Sequence, residues 1–210
     1  MPTSSPRLAV ARKVLPVDFF NRRTLTVAKD LLGKLLVHQS PHGTIVGRIV
    51  ETEGYLADDP ACHAYQGPTP RCAVMFGPPG QTYVYFTYGM YHCFNVITEK
   101  EGTAGAVLVR AVEPVEGMAA VMKNFKGWPK KMDTRDPQRL FSGPGKLCVA
   151  YGFDRSHNNL RLGLRQPIQI WDAPALASKQ VSVCPRIGIS QNADAPYRFY
   201  ISGHPSVSKP

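Results

Sequence analysis

The chain has 210 residues and carries 25 Lys and Arg against 15 Asp and Glu, a formal charge of +10. That balance suits a phosphate-rich partner, although charge alone does not identify one. The length allows one domain with a sizeable core, no apolar run is long enough to span a membrane, and no secretory signal is evident. Five scattered cysteines (Cys62, Cys72, Cys93, Cys148, Cys184) without a Cys-x-x-Cys pair exclude an evident disulfide framework. They read as reduced thiols of a cytoplasmic protein, or of a nuclear one in a eukaryote.

In chain order, residues 1–14 are rich in Ser, Pro and Arg and are expected to form a flexible basic arm ahead of a single domain over 15–210. Over residues 16–32 apolar side chains recur at near-helical spacing (Phe19, Phe20, Leu25, Ala28, Leu31, Leu32), and Gly33 is placed to end that helix. Residues 34–38 and 44–53 read as strands joined by a turn through Pro41 and His42. On a strand's period of two, Glu51, Glu53 and Tyr55 share one face if the strand stays regular. Residues 56–79 form a long loop punctuated by Gly-Pro and Asp-Pro pairs, a kind that usually binds something or moves, and His63 sits within it.

Residues 81–97 comprise two β-prone runs meeting at Gly89, the pattern of a β-hairpin. Tyr83, Tyr85 and Thr87 face one side and Val84, Phe86 and Tyr88 the other, so neither face is plainly polar. Tyr88, beside the turn glycine, is placed to project from the sheet as do the wedges that enter DNA between base steps. The same residues would also suit a buried aromatic hairpin. Residues 105–112 read as a strand and 116–126 as a short helix, while 123–139 hold a cluster of basic residues suited to a solvated loop or a phosphate backbone. The run Ser-Gly-Pro-Gly-Lys-Leu at 142–147 fails the nucleotide-loop pattern, with Leu140 at the first glycine position and Leu147 where Ser or Thr belongs. It reads as a glycine-rich entry to a helix over 146–151 whose first amides could take a DNA phosphate. Residues 168–171 and 186–201 alternate as strands.

No Gly-x-Ser-x-Gly or His-Glu-x-x-His motif is present, and the six histidines show no ligand spacing with the cysteines, so neither a metal nor a cofactor is expected. Glu51 and Glu53 on a strand, His63 in the following loop, Arg110 ending a strand and the tyrosines remain. A carboxylate near a cation and an imidazole can activate water. The same charges could instead form surface ion pairs worth ~0–1 kcal/mol.

Five blocks in unbroken order sharpen this: Arg-Ile-Val-Glu-Thr-Glu-Gly-Tyr (48–55), Asp-Pro-Ala-Cys-His-Ala (59–64), the hairpin region 75–95, Val-Leu-Val-Arg-Ala-Val-Glu-Pro (107–114) and Ser-Gly-Pro-Gly-Lys-Leu-Cys (142–148). Together they resemble the alkyladenine DNA glycosylases, also called methylpurine or 3-methyladenine DNA glycosylases. The resemblance implies an α+β fold, a single mixed domain around a curved antiparallel β-sheet with a protruding β-hairpin that enters the DNA minor groove. It implies action on double-stranded DNA, releasing alkylated or deaminated purines without a cofactor; a monomer is expected because the DNA itself is the large partner. By motif position Glu53 resembles the general base that activates water, and Arg110 the residue beside that water and the DNA backbone. Tyr55, His63 and Tyr85 resemble the residues stacked around the extruded base, Asn95 the one that rejects the guanine amino group, and Tyr88 the one that fills the gap in the duplex. Glu51 takes no role in this transfer beyond a supporting one.

Two positions depart from the family pattern: Cys72 follows Arg71 where asparagine is frequent, and Gly54 stands where alanine is common. Two rivals remain open. One is a glycosylase-lyase using the amine of Pro2; the other is a module that recognises distorted DNA without hydrolysis, for which Glu53 would be dispensable.

Overall fold

A long strand, β2 (Gly43–Leu56), forms the axis of the computed structural model, which describes residues 13–126 and 136–209. One edge of β2 pairs with β5 (Gly105–Glu116) from Val46 to Leu56. The other edge is divided: β1 (Leu35–Ser40) takes its first part through the turn at Pro41 and His42, and β8 (Arg198–Ile201) takes Glu51 to Glu53. β3 (Thr82–Thr87) and β4 (Tyr91–Ile97) extend the sheet beyond β5, β6 (Ile168–Trp171) extends it beyond β1, and β7 (Val181–Cys184) pairs with β8. Every pairing is antiparallel. A strand that hands one edge to two partners must bend between them, and the sheet curls into a half-barrel.

β5 is buried on both faces from Gly105 to Val112, which is why it reads as a nearly continuous apolar run. On one face lies the main core, closed by α2 (Thr24–Asp30), α3 (Met118–Phe125) and α4 (Pro144–Tyr151), with the rings of Phe94, Phe153 and Tyr151 stacked at 4.6 and 5.1 Å. A smaller cluster of Cys62, Cys72, Met75, Tyr83, Ile97 and Ala106 lies elsewhere on the sheet and anchors the long loop over 57–80. The hairpin strands serve both clusters: Val84 and Phe94 enter the main core, while Tyr83 and Tyr85 belong with the smaller one. The expected period-two division of this hairpin is therefore present.

Three expectations need correction. The helix expected over 16–32 is two, α1 (Val17–Phe20) and α2, because Arg22 Nε donates to the Phe19 carbonyl and Glu99 accepts the Thr24 N–H at 2.6 Å, ending one helix and starting the next. Arg110 lies inside β5 rather than at a strand end, since β5 runs on to Glu116. Within the alternating run over 186–201 only Arg198–Ile201 is a strand; residues 185–197 form a loop whose Arg186 side chain and Ile187 N–H are drawn to Asp59 and Glu53. The basic arm up to residue 12, Pro2 included, and residues 127–135 of the basic stretch lie outside the described residues.

Candidate active site

Two compensating irregularities in the β2–β5 ladder build the charged centre. Ile49 pairs with Val112, Glu51 with Ala111 and Thr52 with Val109, so first Val50 and then Arg110 is left over. Such bulges re-aim side chains. Here Arg110 turns to both glutamates: its Nε donates to Glu51 Oε1 at 3.1 Å and its Nη1 lies 3.3 Å from Glu53 Oε1. Glu51 and Glu53 are fully buried and Arg110 is 7% exposed, which removes the surface ion-pair reading. Burial alone would lower the Arg110 pKa, but Glu53 and then Glu51 outweigh it and raise the value.

Glu53 also accepts the Ile187 N–H on Oε1 at 2.8 Å and the Tyr55 hydroxyl on Oε2 at 2.9 Å. Burial and the neighbouring Glu53 push the Tyr55 phenol well above its ordinary range, so it stays protonated and donates. A carboxylate offers about four acceptor positions. Two hydrogen bonds, one on each oxygen, and the ion pair with Arg110 face Glu53, which leaves acceptor capacity on the carboxylate.

In front of this centre lies a cavity of about 200 Å³ lined by Tyr55, His63, Tyr83, Tyr85, Asn95 and Arg110, among others. The His63 ring meets Tyr85 edge-on with centroids 4.7 Å apart, and His63 Nδ1 pairs with the Tyr83 hydroxyl at 2.8 Å. Burial and the charge of Arg71 lower the His63 pKa from 6.5, so at neutral pH the imidazole faces the cavity uncharged. Asn95 is buried, and its Nδ2 donates to the Tyr83 carbonyl at 3.0 Å. That bond fixes the orientation of the amide and leaves its oxygen for a ligand.

At the mouth of the cavity the hairpin turns through Tyr88 and Gly89, whose φ values of 49° and 66° have the signs of the two central residues of a type I′ turn. A tyrosine in this region is uncommon. Tyr88 is nonetheless 82% exposed and held there by no buried packing.

A family model for methylpurine-DNA glycosylases matches residues 18–205. The chain belongs to the methylpurine-DNA glycosylase family. A protein of Methanocella arvoryzae is 48% identical over 200 residues, covering 93% of this chain and 96% of its own. One of Carboxydothermus hydrogenoformans is 45% identical over 196 residues, 93% and 99% of the two chains, and one of Methanoculleus marisnigri 48% identical over 197 residues, 93% and 98%. All three carry the provisional name 3-methyladenine DNA glycosylase.

In this family member the structure brings Arg110, Tyr55, His63, Tyr85 and Asn95 to one cavity with Tyr88 at its rim, and sets the buried Glu53 directly behind its wall, bonded to the lining residues Tyr55 and Ile187 and paired with Arg110. Two further residues shape it that the sequence left without a role. Tyr83 holds His63, and its signal was the face it shares with Tyr85. Arg186 lies behind Tyr55, its guanidinium 4.7 Å from that ring and 5.1 Å from Tyr197, paired in bidentate fashion with Asp59. Nothing in the local pattern around Arg186 announced this.

Both departures from the family pattern have local explanations. Cys72 points away from solvent and closes its own loop, its Sγ 3.1 Å from Thr69 Oγ1 and 3.6 Å from the Gly67 carbonyl. A Cβ on Gly54 would lie 2.5 Å from Leu25 Cδ2, the outer end of a side chain that can shift, so glycine fits the close approach of α2 to β2 without being required there. Among the described residues no group of three or more His, Cys, Asp or Glu is placed to hold a metal ion.

Proposed function

We propose that this family member is a monofunctional DNA glycosylase that extrudes alkylated or deaminated purines from duplex DNA and hydrolyses the N-glycosidic bond. The observation that carries the reading is a fully buried Glu53 with acceptor capacity left on its carboxylate, held by Tyr55, Ile187 and Arg110 in the wall of an aromatic cavity beside an exposed tyrosine.

A base inside a duplex is out of reach, and rotating it out costs a few kcal/mol, least where pairing or stacking is already poor. In the proposal Tyr88 enters from the minor-groove side and fills the vacancy, offsetting that cost. Tyr55, His63 and Tyr85 then enclose the purine. A positively charged alkylated base gains ~0.5–2 kcal/mol from the electron-rich rings, and the uncharged imidazole does not oppose it. Asn95 stands where a guanine amino group would enter.

Breaking the bond places oxocarbenium-like charge on the sugar, which the Glu53 carboxylate stabilises while orienting the attacking water. Arg110 steadies the carboxylate, and the basic surface holds phosphates, so affinity falls steeply with salt. The purine leaves as free base and the DNA keeps an abasic site.

Incubation of the protein in EDTA with duplexes carrying 3-methyladenine or hypoxanthine tests this. Free base with a strand that breaks only after alkali is expected. A borohydride-trapped adduct would replace the monofunctional reading with a lyase, and tight binding without release would make the protein a recognition module.

A further inference from the structure

Glu51 does not touch the cavity, yet it is fully buried and more heavily bonded than Glu53. Its Oε1 accepts Arg110 Nε at 3.1 Å, Arg198 Nε at 2.8 Å and the Ser208 hydroxyl at 3.0 Å, and its Oε2 accepts the Ser208 N–H at 2.7 Å. The segment 206–209, which supplies Ser208, lies beyond the region matched by the family model. It is tied to three further elements of the site: Ser208 Oγ is 3.4 Å from Arg110 Nη2, the Val207 carbonyl accepts the Ser142 hydroxyl at 3.4 Å just ahead of α4, and the Lys209 carbonyl accepts from Arg198.

We propose that Ser208 and Glu51 are positioning residues, a clamp that holds the Arg110 guanidinium edge-on to Glu53 so that one acceptor position of the Glu53 carboxylate stays free for water. The clamp rests on the functional reading above, in which Glu53 activates that water.

Geometry gives the reason. The guanidinium presents its N–H donors in a rigid planar fork, and its preferred partner is a carboxylate met by two parallel hydrogen bonds. With Tyr55 and Ile187 already bonded to Glu53, a bidentate pair with Arg110 would fill the acceptor positions that remain. In the structure Arg110 spends Nε on Glu51 and directs Nη2 to Ser208, so only Nη1 meets Glu53. Removing Ser208 frees one side of Glu51 and one edge of Arg110, and the guanidinium can then rotate onto Glu53. Water activation falls while the aromatic cavity and the hairpin, which bind the DNA, are unchanged.

The test compares wild type, a chain ending at Pro205, Ser208→Ala and Ser208→Thr. Two quantities are read: the single-turnover rate constant for hypoxanthine release at saturating protein, and the dissociation constant for a duplex carrying a tetrahydrofuran abasic analogue. The rate constant is independent of the fraction of folded protein, so general destabilisation does not move it. Truncation is expected to lower the rate constant by about tenfold to a hundredfold, as for a misplaced catalytic group. Ser208→Ala, which loses the hydroxyl's bonds to Glu51 and Arg110, should lower it by about tenfold, with Ser208→Thr near wild type and analogue binding within about threefold throughout. An unchanged rate constant in the truncated chain, or Thr no better than Ala, would overturn the clamp while leaving the functional reading intact. If truncation prevents folding, the Ala and Thr pair decides alone. No release by any form, wild type included, would overturn both.

Discussion

Asp59→Asn is a nearly isosteric change with a large expected cost. The Asp59 and Arg186 side chains are 1% and 0% exposed. Asp59 Oδ1 accepts Arg186 Nη2 at 3.0 Å, Asn192 Nδ2 at 3.0 Å and the Ala61 N–H at 3.1 Å, while Oδ2 takes Arg186 Nη1. Asparagine can keep its oxygen at the first of these positions, but its amide then faces Nη1, donor against donor, and Arg186 is left without a counter-charge. Breaking a buried pair in this way costs ~3–5 kcal/mol, a large part of the ~5–15 kcal/mol that holds a domain folded. Urea denaturation at neutral pH should therefore show a much lower midpoint with an unchanged slope. Arg186→Met added to Asp59→Asn removes the orphaned charge and should recover part of the loss. Burial alone would raise the Asp59 pKa, but the bonds from Arg186, Asn192 and Ala61 outweigh it and hold it below 3.8. The stabilisation from this pair is thus complete above 3.8 and lost as pH falls below it, where wild type and variant should converge. A neutral-pH difference under about 1 kcal/mol would refute the reasoning, since that is the worth of a solvated pair.

Two other outcomes are expected. Tyr88→Gly should relieve the left-handed backbone at φ 49°, stabilising the fold by about 1 kcal/mol, while slowing base release from well-paired duplexes more than from mismatched ones; a lower denaturation midpoint, or unchanged release, would contradict the wedge. Burial, aided by neighbouring His157 and opposed by the Tyr151 carbonyl, lowers His38 from 6.5 to about 4. Its contribution to stability is whole above 6.5 and declines by ~3 kcal/mol as pH falls towards 4. Denaturation midpoints across that range should lose this slope in His38→Gln.

What could be read in the sequence was whatever depends on near neighbours or on an ordered set of motifs. The faces of the hairpin follow from a period of two, and Glu53 beside Tyr55 follows from the same period even though the ladder slips next to Glu51. The family resemblance rested on five blocks, and the family match over 18–205 agrees with it. Residues that meet across the chain were hidden. Arg186 reaches Asp59 over 127 positions and Ser208 reaches Glu51 over 157, through contacts that no local pattern records. The loop over 185–197 alternates like a strand, yet its Arg186 side chain and Ile187 N–H go to buried carboxylates, and it meets the β2 backbone at Gly54, which bonds the Tyr197 carbonyl and the Arg186 side chain. The break between α1 and α2 depends on Glu99, 75 residues away from Thr24.

The role of Glu53 is open to one direct comparison. In Glu53→Gln the amide oxygen can still accept from Ile187 and Arg110, and the amide nitrogen can donate to a reoriented Tyr55 hydroxyl, so the fold has a way to keep its bonds. The carboxylate proposed to activate water is gone. Single-turnover release of 3-methyladenine and hypoxanthine in EDTA should fall by at least about 10³-fold relative to wild type, with binding to both duplexes within about tenfold, or 1.4 kcal/mol. Release by Glu53→Gln at a rate near wild type would contradict the proposed chemistry.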